Sequence, residues 1–76
     1  MITRKVFNDI IMEELHIDDL PGELSFEDLG CDSLDIMEII IEIEEETGQD
    51  IPDEVIRKFT HPEELFQYLK YRLNGE

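Results

Sequence analysis

A chain of 76 residues has room for one domain, and 41% hydrophobic residues are too many for a disordered acidic tail. Six Lys and Arg stand against 21 Asp and Glu, for a net charge of −15 that repels nucleic-acid phosphates and anionic membrane surfaces and favours a basic partner. The bases are confined to Arg4-Lys5, Arg57-Lys58 and Lys70/Arg72, so that Val6 through Ile56 holds 18 of the acids and no cation.

The first segment, about residues 3 to 16, places Val6, Phe7, Ile10, Ile11 and Leu15 at helical spacing, with Glu13 and Glu14 off the stripe. Acids interrupt its apolar positions, so it is neither a signal peptide nor a membrane span, and the lone Cys31 has no partner for an internal disulfide. The expected location is the cytoplasm. "HIDDLPGELSFEDLG" follows, with Pro21, Gly22 and Gly30 among Asp and Ser. That is the chemistry of a long loop, pinned to a core by Leu20, Leu24, Phe26 and Leu29. Ser25 opens "SFED" with an acid three residues on, a turn or cap arrangement.

A second helix is expected from an Asp32 N-cap, with Asp35 in its first turn, to Gly48, a favoured residue just past a helix end. Pro52 can start a short third helix with Val55, Ile56 and Phe59 apolar. In "THPEELFQYLKYRL", Thr60 and Glu63 fit a capping box, Pro62 starts the helix, and Leu65, Phe66, Leu69 and Leu73 line one face. No segment alternates with period two, so the fold class is all-α: three longer helices, one short third helix and a long first loop, with residues 1–76 as a single domain.

The second helix carries two apolar stripes. At 100° per residue, Ile36, Ile39, Ile40 and Ile43 fall within one core-facing arc. Leu34, Met37 and Ile41 form a second stripe roughly 140° around from it, and Asp35, Glu38, Glu42 and Glu45 fill the arc beside that stripe. Both stripes could be core. The alternative is an exposed apolar strip rimmed by carboxylates, suited to an apolar hollow ringed by Arg and Lys.

Ser33 stands next to that strip. A hydroxyl attacks only when a positioned base takes its proton, and His16 and His61 lie in other segments, so Ser33 is not read as a nucleophile, and no catalytic residue is assigned. Cys31 has acids on its flanks, which disfavours a thiolate, and is expected as a small packing residue. The acids lack the spacing of a calcium loop and there is no Cys/His cluster, so no metal site is expected beyond diffuse cation binding. Ser33 is then either an ordinary helix-start serine or an attachment point completed by another enzyme, where a partner docks.

"EDLGCDSLDIMEIIIEIEEETGQDIPDE" resembles the acyl carrier protein family, whose D-S-L motif follows an L-G-x turn and precedes an acidic helix. The likeness covers essentially the whole chain. It implies a four-helix bundle in which Ser33 bears covalent 4′-phosphopantetheine. It also implies that Leu34, Asp35, Met37, Glu38, Ile41, Glu44 and Glu45 belong to the helix that docks partner enzymes; Asp32 and Glu42 adjoin them and complete the expected docking surface. The implied partners are a phosphopantetheinyl transferase and acyl-loading and chain-processing enzymes with basic surfaces, met by a monomeric carrier that is not itself an enzyme. Fatty acid or related lipid or polyketide synthesis is the implied setting, and an aminoacyl or peptidyl carrier is the alternative. The short spacer after Phe26, Glu42, Thr47-Gly48 and Cys31 depart from the common fatty-acid type, which points to a specialised carrier rather than a housekeeping one.

Overall fold

Apolar residues three to four apart give a helix one side to bury, and a capping side chain decides where that helix begins. The computed structural model describes residues 2–21 and 23–74, the side chains of 73 and 74 excepted, so that Gly22 and the Leu73 side chain lie outside the described part. Helix α1 (Arg4–Leu15) starts at Thr3, whose Oγ1 accepts from the Val6 N–H at 3.1 Å. Ile2 and Phe7 take the two positions of a hydrophobic staple and both are buried. Phe7 and Ile11 are fully enclosed, and Val6, Ile10 and Leu15 pack partly against the same core. His16 ends the helix in the left-handed region at φ 58°, a conformation that costs a non-glycine residue on the order of 1 kcal/mol.

The loop after α1 is organised by its own side chains. Ser25 and Asp28 cap each other: the Asp28 N–H donates to Ser25 Oγ at 3.0 Å and the Ser25 N–H to Asp28 Oδ2 at 3.2 Å. Phe26 is the peg that fixes this turn, buried in the core with its N–H donating to the Thr60 carbonyl at 2.8 Å. Leu20 packs partly on the core, whereas Leu24 and Leu29 are half-buried outside the core cluster and hold the loop less firmly than their apolarity suggests. Gly30, at φ 81°, turns the chain toward the next helix, a backbone state that suits a residue without Cβ.

Helix α2 (Ser33–Thr47) opens with Asp32 and Asp35 in a reciprocal capping box and closes at Gly48, φ 71°, whose N–H donates to the Glu44 carbonyl at 2.8 Å. It buries Ile39, Ile40 and Ile43 and packs against α1. Helix α3 (Asp53–Ile56) is one turn with Pro52 as its N-cap, and none of its residues is fully buried. Helix α4 (Pro62–Asn74) returns Leu65, Phe66 and Leu69 to the core. The all-α expectation holds, with helices of 12, 15, 4 and 13 residues and no strand among the described residues.

One capping assignment is corrected. Glu64, not Glu63, closes the start of α4, accepting from the Thr60 N–H at 2.7 Å and the His61 N–H at 3.1 Å. These bonds to the charged form hold its carboxyl below the usual range. Glu63 is taken instead by Arg4, which grips both its oxygens at 2.7 and 2.8 Å while its guanidinium lies 3.9 Å from the centroid of Phe66. Phe66 in turn meets Phe7 edge-on at 5.1 Å, so the starts of α1 and α4 are clamped together by charge and aromatic contact.

Candidate functional site

The N-terminal end of α2 sets the geometry of the site. Asp35 N–H donates to Asp32 Oδ1 at 2.9 Å and Asp32 N–H to Asp35 Oδ2 at 3.2 Å, so the two aspartates satisfy the helix start between them and leave the intervening serine out of the capping. Ser33 is exposed, at the first helical position. It lines a cavity of about 380 Å³ together with Ile36 and Met37 of α2, Asp53 and Ile56 of α3, and Arg57 and Phe59 just beyond α3. The hydroxyl thus stands at a largely apolar hollow whose far wall is the helix least anchored in the core.

Along α2 the second apolar stripe is exposed: Leu34 by 66%, Met37 by 55% and Ile41 by 48%, against 4% for Ile40. Three large apolar side chains left open on one helix form a patch that a monomer has no packing reason to keep. Glu38, Glu42 and Glu45 are exposed beside it, and no Lys or Arg interrupts them. Glu44 is set apart from this face. It is half-buried, and its Oε2 accepts from the Ile51 N–H at 2.7 Å, tying the end of α2 to the segment that leads into α3.

The acidic face is wider than α2 alone. Glu14 of α1 lies against Glu38, with Glu42 close by, and its carboxyl is held above the ordinary value by the contact with Glu38, by burial, and by the charges of Glu38 and Glu42. Sequence reasoning missed Glu14 because its place depends on how α1 and α2 are registered. It missed Arg57 and Phe59 because α3 is too short for a periodic signal; the usable hint was that Arg57 is the first cation after the acidic span. Cys31 is half-buried, and its thiol is pushed up by burial and then by Asp35 and Asp32, which keeps it protonated rather than reactive. Of the histidines, His16 is exposed at the end of α1, and His61 Nδ1 meets Thr60 Oγ1 at 2.7 Å; neither lines the cavity. Among the described residues no cluster of His, Cys, Asp or Glu is arranged to hold a metal ion, and no helix is long and apolar enough to cross a membrane.

Comparison with known proteins places this geometry. A family model described as a phosphopantetheine attachment site matches residues 6–69, from α1 to the middle of α4. The chain is 43% identical over 65 residues to an acyl carrier protein of Bdellovibrio bacteriovorus, covering 82% of this chain and 83% of that one. It is 42% identical over 73 residues to an acyl carrier protein of Clostridium acetobutylicum, covering 92% and 94%. An all-helical fold, a family match that spans the site and this likeness over nearly the full length agree: the chain belongs to the acyl carrier family and bears covalently attached 4′-phosphopantetheine.

Proposed function

We propose that Ser33 is the attachment residue and that the whole chain acts as one carrier domain, monomeric and cytoplasmic, for acyl groups in fatty acid or related lipid or polyketide synthesis. The observation that carries this reading is the exposed Ser33 hydroxyl at the rim of the cavity between α2 and α3. The only other serine, Ser25, already uses its hydroxyl oxygen to accept from the Asp28 N–H. The residues present suit the group: Ile36, Met37, Ile56 and Phe59 offer an apolar surface beside the hydroxyl, and Arg57 offers a cation. When bound, the arm supplies a terminal thiol that holds the cargo as a thioester.

Ser33 Oγ would form a P–O bond to the pantetheine-bearing phosphorus of coenzyme A as the pyrophosphate P–O bond breaks and 3′,5′-adenosine bisphosphate leaves. The hydroxyl proton passes to the modifying enzyme, because no imidazole lines the cavity to take it. Leu34, Met37 and Ile41 supply the apolar contact with a phosphopantetheinyl transferase and, later, with acyl-loading and chain-processing enzymes. Asp32, Asp35, Glu38, Glu42 and Glu45 guide basic partners toward that strip, with Glu14 extending the field onto α1. Glu44 serves the same end indirectly, by fixing the loop before α3. Chemistry on the cargo belongs to the partners, and this chain presents and releases it. Because α3 buries no residue fully, it is the wall of the cavity that yields most cheaply to cargo.

The test is intact mass after incubation with coenzyme A and a phosphopantetheinyl transferase. One phosphopantetheine unit should be gained by the native chain, mapped by peptide fragmentation to Ser33. Ser33→Ala should gain none while keeping its helical circular dichroism. Modification of the alanine variant, or loss of its fold, would refute the assignment.

A further inference from the structure

Ser33 sits between Asp32 and Asp35, at the centre of a span with 18 acids and no base, so a phosphodiester formed there adds an anion where the local field most opposes it. The seven residues lining the adjoining cavity include a single base, Arg57, facing the same hollow as Ser33 from just past α3. Among the described residues the cation–carboxylate pairs are Arg4 with Glu63 and Lys5 with Asp9, and the His61 ring approaches Glu64 at 3.9 Å, so Arg57 holds no carboxylate, although Asp53 lines the same cavity. A guanidinium presents paired donors that match two oxygens of a phosphate, which an ammonium does not.

Resting on the assignment of Ser33 as the attachment residue, we infer that Arg57 pairs with the phosphodiester on Ser33 and thereby fixes the first segment of the prosthetic arm across the cavity between α2 and α3. The pairing places a cation from beyond α3 against an anion on α2, and so joins the weakly anchored α3 wall to the central helix only after modification. The unmodified chain lacks this bond. Arg57 is a positioning residue here, acting on the arm's anchor and not on the thioester.

Apo and holo forms of the native chain, Arg57→Gln and Arg57→Lys test this by thermal melting at low salt and by ³¹P NMR of the holo forms. The apo forms of the native chain and Arg57→Gln should melt within about 4 °C of each other, and that offset is the baseline against which modification is read. Modification should be about 2–5 °C more favourable to the melting temperature of the native chain than to that of Arg57→Gln, the scale of one exposed ion pair in a domain of this size. Arg57→Lys should keep part of the difference, added salt should shrink it, and the ³¹P resonance should move in Arg57→Gln. Equal changes in melting temperature and an unmoved resonance, with intact mass confirming the arm on Ser33 in both proteins, would overturn the inference and leave the attachment assignment standing. Failure of the native chain to gain the arm on Ser33 would instead remove the assignment beneath it.

Discussion

Met37 and Ile40 stand three positions apart on the same helix, yet 55% of one and 4% of the other is open to solvent, so truncating each to alanine separates docking from folding. Removing Ile40 leaves a hole in the buried cluster to which it belongs with Phe7, Ile11, Ile39 and Ile43, and such losses cost about 2–5 kcal/mol. A domain of this length has roughly 3–5 kcal/mol to lose, so Ile40→Ala should be close to unfolded at room temperature. Met37→Ala gives up only the buried half of a side chain worth about 1.5–3 kcal/mol when fully enclosed, and alanine's helix propensity returns a little, so stability should fall by under about 1 kcal/mol. The open half is what a partner can cover. Its loss should raise the transferase KM by about fivefold, the equivalent of roughly 1 kcal/mol, and removing Leu34 and Ile41 as well should exceed that without simple additivity. Urea unfolding followed by circular dichroism gives the first quantity and transferase kinetics the second. The reasoning fails if Met37→Ala destabilises the chain as much as Ile40→Ala, or if the triple variant is modified at the native KM.

The clamp at the start of α1 should be pH-dependent. Arg4 holds the Glu63 carboxyl down at about 2, so its stabilisation is full above the unfolded value near 4.5 and is lost as pH falls through about 2. Arg4→Met should cost about 1 kcal/mol at pH 7, screened as exposed pairs are, and the ionic part of that cost should vanish in melts taken across that acid range. Glu14 has the opposite sign: its raised carboxyl favours the fold below the unfolded value and loses that advantage as pH rises through the folded one. Glu14→Gln should therefore melt higher than the native chain at pH 7 and no higher at pH 4; an equal gain at both would clear the contact with Glu38 of any role. Glu45→Lys should raise the melting temperature by a few degrees while weakening the transferase reaction and flattening its salt dependence. A variant that loses both stability and turnover would count against a docking role for this carboxylate.

What could be read from the sequence was what a single helix decides for itself. The limits of α2 follow from Asp32 and Gly48, and the existence of its two apolar stripes from a 100° step, because neither depends on a neighbour. That Leu34, Met37 and Ile41 stay open to solvent does depend on neighbours, and the sequence left it undecided. The neighbours decided the rest. Thr60 has two acids available three and four residues on, and Glu64 takes the cap because Arg4, distant in sequence, holds Glu63. Glu44 reads as one more docking carboxylate until the chain after Gly48 turns back and presents the Ile51 N–H to it. The cavity required α3 to be laid beside α2, and a four-residue helix has no period from which its inward face could be inferred.

Glu44, Glu45 and Glu46 lie in the last turn of α2, where carbonyl groups and the negative end of the helix dipole favour a cation, and that turn contains none. Glu44 finds an N–H, but Glu45 and Glu46 are exposed and have no local compensation. Folding alone would replace them, as it would replace the apolar Leu34, Met37 and Ile41 with polar residues and separate Glu14 from Glu38. These features lower stability in a domain with little to spare, and together they surround the helix that begins at Ser33. Local rules broken in one place, and obeyed at the caps of α1 and α2 and in the Phe7, Ile11 and Ile39 core, are the pattern that the proposed docking surface requires. The opposite effects expected of Glu45→Lys on melting and on modification follow from this, since a residue kept for its partner gives back stability when it is removed.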